Sequence, residues 1–137
     1  MDANRLMSMS GRYLLDTNVV IALFANETAT KNRLKEVEEV FVPCITLGEL
    51  YYGAHKSKRR TNNIRQIKEF ASQSIVLNCD TDTAQRYGEI KNELRQKGRP
   101  IPENDIWIAA IAQQNNLILV TSDDHFREVE NLKVEAW

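Results

Sequence analysis

Four short apolar runs divide the chain, and each gives way to a segment whose apolar residues return at helical spacing. The first, Tyr13-Leu14-Leu15, predicts a buried strand that halts at Asp16-Thr17-Asn18, residue types that cap the free N–H groups of a helix start. Val19, Val20, Leu23 and Phe24 then mark one helix face. Asn26 to Thr28 interrupts it, and a charged second helix is expected from about Ala29 to Val37. Val40 to Ile45 is the second strand. It feeds Thr46, expected to cap a helix through Tyr51, Tyr52 and Ala54, with Thr46-Leu47-Gly48-Glu49 fitting a capping box. Ile64, Ile67 and Phe70 form the stripe of a third amphipathic helix, ahead of a short strand from Ser74 to Leu77.

Asp80 to Gln96 is the longest predicted helix, its stripe made by Ala84, Tyr87, Ile90 and Leu94 and its end marked by Gly98, Pro100 and Pro102. Too little chain follows that Pro/Gly-dense segment to build a second core, so it reads as a loop within one domain. From Glu103 a helix carries Ile106-Trp107-Ile108-Ala109-Ala110-Ile111-Ala112, apolar on nearly every side, which places it at the centre of the fold. Leu117 to Val120 predicts a strand covered on both faces and ends at Thr121-Ser122-Asp123-Asp124. A short helix from Asp124 to Val129 and an edge strand within Lys133 to Trp137 complete the pattern. Strands alternating with helices predict a three-layer α/β/α sandwich around a mostly parallel sheet with right-handed crossovers.

The 137 residues suffice for one domain, expected over 12–137, that buries roughly 65–70% of its unfolded surface. Residues 1–11 read as an extension without structure. They hold no apolar core of signal-peptide length, and nowhere do 18 apolar residues run together, so a cytoplasmic protein is expected. The formal charge of −1 argues against a protein that coats nucleic acid wholesale. It leaves room for local basic faces, and Lys56, Lys58, Arg59, Arg60, Arg65 and Lys68 form one dense segment, Lys91, Arg95, Lys97 and Arg99 another. Either is a solvated helix face unless it flanks a site, where it would contact RNA phosphates. Cys44 and Cys79, 35 residues apart without CxxC spacing, are expected to be reduced, buried thiols.

Acids stand at comparable places: Asp16 after the first strand, Glu49 one turn into the helix after the second, Asp105 opening the central helix, and Asp123 after the Leu117 strand. Singly, each suits a helix N-terminus. Together they ask for more, because parallel strands send their C-terminal ends to one edge and so bring at least Asp16, Glu49 and Asp123 to the same rim. Two carboxylates about 4 Å apart repel by roughly 4 kcal/mol at an effective dielectric near 20, a cost that a cation between them would remove. All-oxygen ligation selects Mg²⁺, with Mn²⁺ as a substitute.

Four segments then resemble a known family: Leu14-Leu15-Asp16-Thr17-Asn18, Thr46-Leu47-Gly48-Glu49-Leu50-Tyr51-Tyr52-Gly53, Ile101-Pro102-Glu103-Asn104-Asp105-Ile106-Trp107-Ile108-Ala109-Ala110 and Leu119-Val120-Thr121-Ser122-Asp123-Asp124-His125-Phe126. They look like the PIN-domain ribonucleases of the VapC toxin type, in the family's order. The resemblance implies that Asp16, Glu49, Asp105 and Asp123 hold a divalent metal, with Thr17, Asn18 and Thr121 in support. Asp123 is the most variable of the acids among such proteins, and Glu103 or Asp124 would be the extra acids able to share its task. It also implies a toxin-antitoxin pair, a homodimer, and a small antitoxin whose segment lies in a groove beside the acids and presents a basic side chain to them.

Both lines lead to metal-assisted phosphodiester hydrolysis, in which one or two Mg²⁺ ions activate water and neutralise phosphate. There is no GxSxG elbow, Cys-His arrangement or P-loop. His55 and His125 read as surface or packing residues, and Tyr52 as core packing before base stacking. Two alternatives remain. A haloacid-dehalogenase-type phosphatase needs a second Asp where this chain has Asn18, and a PIN-like module without catalysis would be marked by loss of one of the four acids.

Overall fold

The structure, a computed structural model, describes residues 11–137; the extension expected over 1–11 lies, apart from Gly11, outside the described residues. Strand β1 (Tyr13–Leu15) is fully buried and alternates its side chains, so that Leu14 joins one hydrophobic cluster while Tyr13 and Leu15 join the other. It is the middle strand of five. The others are β2 (Val40–Pro43), β3 (Ile75–Leu77), β4 (Ile118–Val120) and β5 (Val134–Glu135), in the order β3-β2-β1-β4-β5 and parallel throughout. The mostly parallel sheet expected from the alternation is therefore wholly parallel.

Helices α1 (Thr17–Phe24), α3 (Cys44–Lys56) and α4 (Arg60–Ser72) supply Val19, Val20, Leu50, Ala54 and Ile67 to one face of the sheet. On that side, α2 (Thr28–Lys35) adds Leu34. Helices α5 (Thr81–Lys97) and α6 (Glu103–Gln114) cover the other face through Ile90, Leu94, Ile106, Ile108 and Ile111. Six residues of α6 are buried, among them Ala109, Ala110 and Ala112, whose small side chains let the helix lie close to the sheet. This is the central helix that its composition predicts. Among the described residues no helix is long and apolar enough to cross a membrane.

Local chemistry explains where elements stop, and it corrects some expectations. The α1 N-cap is Asp16, whose side chain accepts from the Thr17 N–H. Helix α3, by contrast, begins three residues early, at Cys44, with Pro43 in the cap position and no side-chain cap. Thr46 is therefore inside the first turn and fully buried, and the capping box expected of Thr46 and Glu49 does not form. The capping box lies instead at α5, between Asp80 and Thr83. Thr83, not the exposed Ala84, faces the core there. Gly98 ends α5 in the left-handed conformation at φ 69° that glycine adopts without a Cβ clash. Cys44 and Cys79 are free thiols, but neither is fully buried: Cys44 is half-buried and Cys79 exposed.

Three features of this fold set up an active edge. Leu15 lies opposite Val120, so Asp16 and Thr121 leave the sheet side by side. The chain passes from β1 to β2 on one side and reaches β4 on the other, and a switch of this kind opens a crevice at the C-terminal ends of the strands. Beyond β4 a 3₁₀ turn (Asp124–Glu128) is pinned by Phe126, which has no exposed surface. Phe126→Leu is expected to cost roughly 1–2 kcal/mol, a fall in Tm of about 4–8 °C for a domain of this size, read by differential scanning calorimetry. An unchanged Tm would show that the turn is not anchored by this ring.

Candidate active site

Asp16 sits at the centre of the edge and is 3% exposed. Its Oδ1 accepts from the Thr17 N–H at 2.8 Å, and its Oδ2 accepts from Thr121 Oγ1 at 2.7 Å and Asn18 Nδ2 at 3.1 Å. Burial outweighs these donors, with Asp105 and Asp123 adding their negative charge, so the Asp16 carboxyl titrates above the usual range. Asn18 is a bridge. Its Nδ2 also reaches Asp123 Oδ2 at 3.2 Å, while its Oδ1 accepts from the Ser122 N–H at 3.2 Å. Thr121 Oγ1 in turn accepts from the Asp123 N–H at 3.1 Å. The segment after β4 is thereby stitched to the segment after β1.

Glu49 arrives from α3 and accepts from Thr17 Oγ1 at 2.8 Å; the same hydroxyl lies 3.2 Å from Thr46 Oγ1. That contact explains why a threonine is buried at position 46. Asp105 comes from the first turn of α6. Burial raises its pKa, and Glu49 and Asp123 raise it further, against the lowering effect of His125, whose Nε2 is 2.5 Å from Asp105 Oδ2. Asp105, Asp123 and His125 each turn a ligand atom into one region, all within 4.8 Å of one another. Such a donor set, with Asp16 and Glu49 alongside, fits a divalent cation: several carboxylates crowd together, and two of them are held above their ordinary pKa by burial and by one another.

The two further acids lie elsewhere. Glu103 pairs with Lys91 and Tyr87, and these hydrogen bonds hold its carboxyl below the usual range. The Asp124 side chain is 92% exposed, 3.8 Å from Arg127. Lys91 of the second basic segment is thus engaged by Glu103, and Lys97 donates to the Glu128 carbonyl. In the first segment Lys56 lies 4.3 Å from the centre of the Tyr52 ring, and Arg60 donates to the His55 carbonyl. Tyr52 is 65% exposed, not core packing as its sequence context indicates. His125 is the residue that reading by position misses. The one local signal is the buried Phe126 beside it, which anchors the turn and leaves His125 at the rim.

The rim of acids at the switch point of a parallel sheet agrees with a nuclease of the PIN type, and comparison with known proteins shows the family. The PIN domain family model matches residues 13–132. Ribonuclease VapC2 of Haemophilus influenzae is 39% identical over 135 residues, covering 92% of this chain and 98% of that protein. The tRNA(fMet)-specific endonuclease VapC of Shigella flexneri is 34% identical over 129 residues, covering 92% and 98%. Among solved structures, DNA-bound VapBC from Salmonella typhimurium superposes with a TM-score of 0.87 at 31% identity, covering 93% of this chain and 98% of that one. VapBC2 from Rickettsia felis, bound to a DNA fragment from its promoter, gives 0.84 at 33% identity, covering 91% and 98%. The chain belongs to the PIN-domain family and, within it, to the VapC ribonucleases.

Proposed function

We propose that this chain is the toxin of a toxin-antitoxin pair, a cytoplasmic endoribonuclease that hydrolyses RNA phosphodiester bonds with a divalent cation of the Mg²⁺ or Mn²⁺ type. One observation carries the reading: Asp16, Glu49, Asp105 and Asp123, supplied by four different parts of the chain, come together at one edge, where Asn18 bridges Asp16 and Asp123, Thr17 beside Asp16 holds Glu49, and ligand atoms of Asp105 and Asp123 lie within 4.8 Å. These four acids would hold the cation. Bound there, it would supply an activated water and neutralise the phosphate. The chain's own residues prepare the place: Thr17 orients Glu49, Thr121 and Asn18 hold one oxygen of Asp16, and Asn18 ties down Asp123. With all four acids present, a PIN-like module without catalysis has no residue to support it.

Purified protein stripped of metal is expected not to cut a panel of structured RNAs, and to regain cleavage on adding Mg²⁺ or Mn²⁺. Initiator tRNA belongs in the panel, because a relative is named for tRNA(fMet). Cleavage that persists in chelator would overturn the cation requirement.

The solved VapBC relatives also support an antitoxin partner. A groove of about 370 Å³ runs between α1 and the α3–α4 pair, lined by Ile21, Phe24, Leu50 and Ile67, with Glu49 in its wall. Ile21 is 54% exposed there. An amphipathic segment would bury its apolar face in this groove and bring a basic side chain to the acids. Ile21→Lys is expected to weaken antitoxin binding at least tenfold, at about 1.5–3 kcal/mol for a buried aliphatic side chain, while leaving RNA cleavage intact. Calorimetric titration with the cognate antitoxin checks this, and unchanged affinity would place the partner elsewhere. The toxin itself is expected to be a homodimer, which light scattering at micromolar concentration decides.

A further inference from the structure

One imidazole is set among the carboxylates of the rim. His125 stands on the rim because the 3₁₀ turn is anchored by Phe126, whose ring centre lies 5.0 Å from that of His125. Its Nε2 shares a hydrogen bond with Asp105 Oδ2 at 2.5 Å, and it lies within 4.8 Å of a ligand oxygen of Asp123. Both side chains keep some exposure, 35% for His125 and 14% for Asp105. Ser122 and Asp123 are fastened to Asn18 and Thr121, so the backbone leading into the turn is held as well. Nε2 and Oδ2 thus face one another at the place where a cation would gain a ligand from each.

We propose that His125 is a nitrogen ligand of the cation site and makes it select a first-row transition-metal ion over Mg²⁺. The inference rests on the metal-nuclease reading above and deepens it. Carboxylate oxygens hold Mg²⁺ and Mn²⁺ alike, whereas an imidazole adds a softer donor that Mg²⁺ uses poorly and first-row transition ions use well. Mutual repulsion among the acids attracts any divalent cation. The imidazole decides which one.

Mn²⁺ is the probe, because its electron spin reports directly bonded nitrogen. The sequence contains two histidines, His55 and His125, and His55 is exposed in the last turn of α3, apart from the acids. In untagged full-length protein loaded with Mn²⁺, pulsed EPR is expected to show ¹⁴N coupling from one imidazole, replaced by the ¹⁵N pattern after ¹⁵N-histidine labelling. His125→Gln keeps an amide that donates to Asp105 and offers the cation an oxygen. It is expected to lose the nitrogen coupling and to reduce the ratio of Mg²⁺ to Mn²⁺ dissociation constants by about tenfold or more, with folding checked by calorimetry. His55→Gln should change neither. Mn²⁺ bound in an Asp105-dependent way but without nitrogen coupling would overturn this inference and leave the metal-nuclease reading standing. No Mn²⁺ binding at all, or binding indifferent to Asp105→Asn, would overturn both.

Discussion

Asp105→Asn is expected to abolish RNA cleavage and, in metal-free protein, to raise the melting temperature. The loss of kcat/KM should exceed the roughly 10–100-fold typical of removing a mere partner of a metal ligand, since a charge that faces the cation is gone. Stability should move the other way. Asp105 is held above its ordinary pKa first by burial and then by Glu49 and Asp123, so its charge is one the empty fold must tolerate; the asparagine retains an oxygen for His125 to address. Each kcal/mol recovered corresponds to about 4 °C. By sequence position alone Asp16→Asn would behave alike, but the structure separates the two. Three donors aim at the Asp16 carboxylate, from Thr17, Asn18 and Thr121, and an asparagine has one acceptor oxygen where they need two. Asp16→Asn is therefore expected to lose cleavage equally and to gain no stability, since a buried donor left without an acceptor costs about 1–3 kcal/mol. Single-turnover cleavage and calorimetry in chelator test the pair. Normal cleavage by either variant would show that the site is misplaced. Inactive Asp105→Asn protein that melts markedly lower without metal would make that acid a structural cap.

Metal-free protein is expected to be more stable in mildly acid solution than at neutral pH, and a divalent cation is expected to erase the difference. The folded-state pKa values of Asp16 and Asp105 lie above the ordinary 3.8. Between that value and the raised one the native state holds more protons than the unfolded state, so stability falls as pH rises through the window, and the full penalty persists above it. Asp80 and Glu103 act oppositely. Their pKa values are lowered by hydrogen bonds from Thr83 and Lys91 respectively, so the stability they contribute is lost only as pH falls below the usual carboxylate range. The metal-free optimum should accordingly lie on the acid side of neutrality. Binding to the native state alone adds roughly 2.7 kcal/mol at a concentration 100 times Kd, on the order of 10 °C here, and the gain should grow with pH as both acids ionise. Calorimetric scans from pH 4.5 to 7.5, in chelator and in cation, decide it; a metal-free Tm that climbs steadily with pH would contradict the raised pKa values.

Sequence alone determined the features whose causes are local. The apolar runs at Tyr13, Val40 and Leu117 announce buried strands because period and β-branched content are properties of neighbouring residues. Asp16 announces its helix because a cap acts across one or two peptide units. The Ile106–Ala112 run announces a central helix because no solvent-facing stripe is left in it. The gathering of Asp16, Glu49 and Asp123 was equally legible, since parallel strands must deliver their ends to one edge; Asp105 opens a helix that follows no strand, and its place was set by the tertiary structure. Tertiary structure decided what depends on register and on the path of the turns. The capping box at Thr46 and Glu49 looked satisfactory in one dimension, yet Pro43 already starts the helix, and the two side chains turn instead to Thr17, 29 and 32 residues away. Glu103, two positions from Asp105, looked able to share the task of Asp123, but successive helical residues point about 100° apart, and Glu103 faces Lys91 and Tyr87. His125 looked like a surface residue because nothing nearby in the chain explains it. Only the sheet order, which sets the turn after β4 beside the first turn of α6, brings its imidazole to Asp105, 20 residues back.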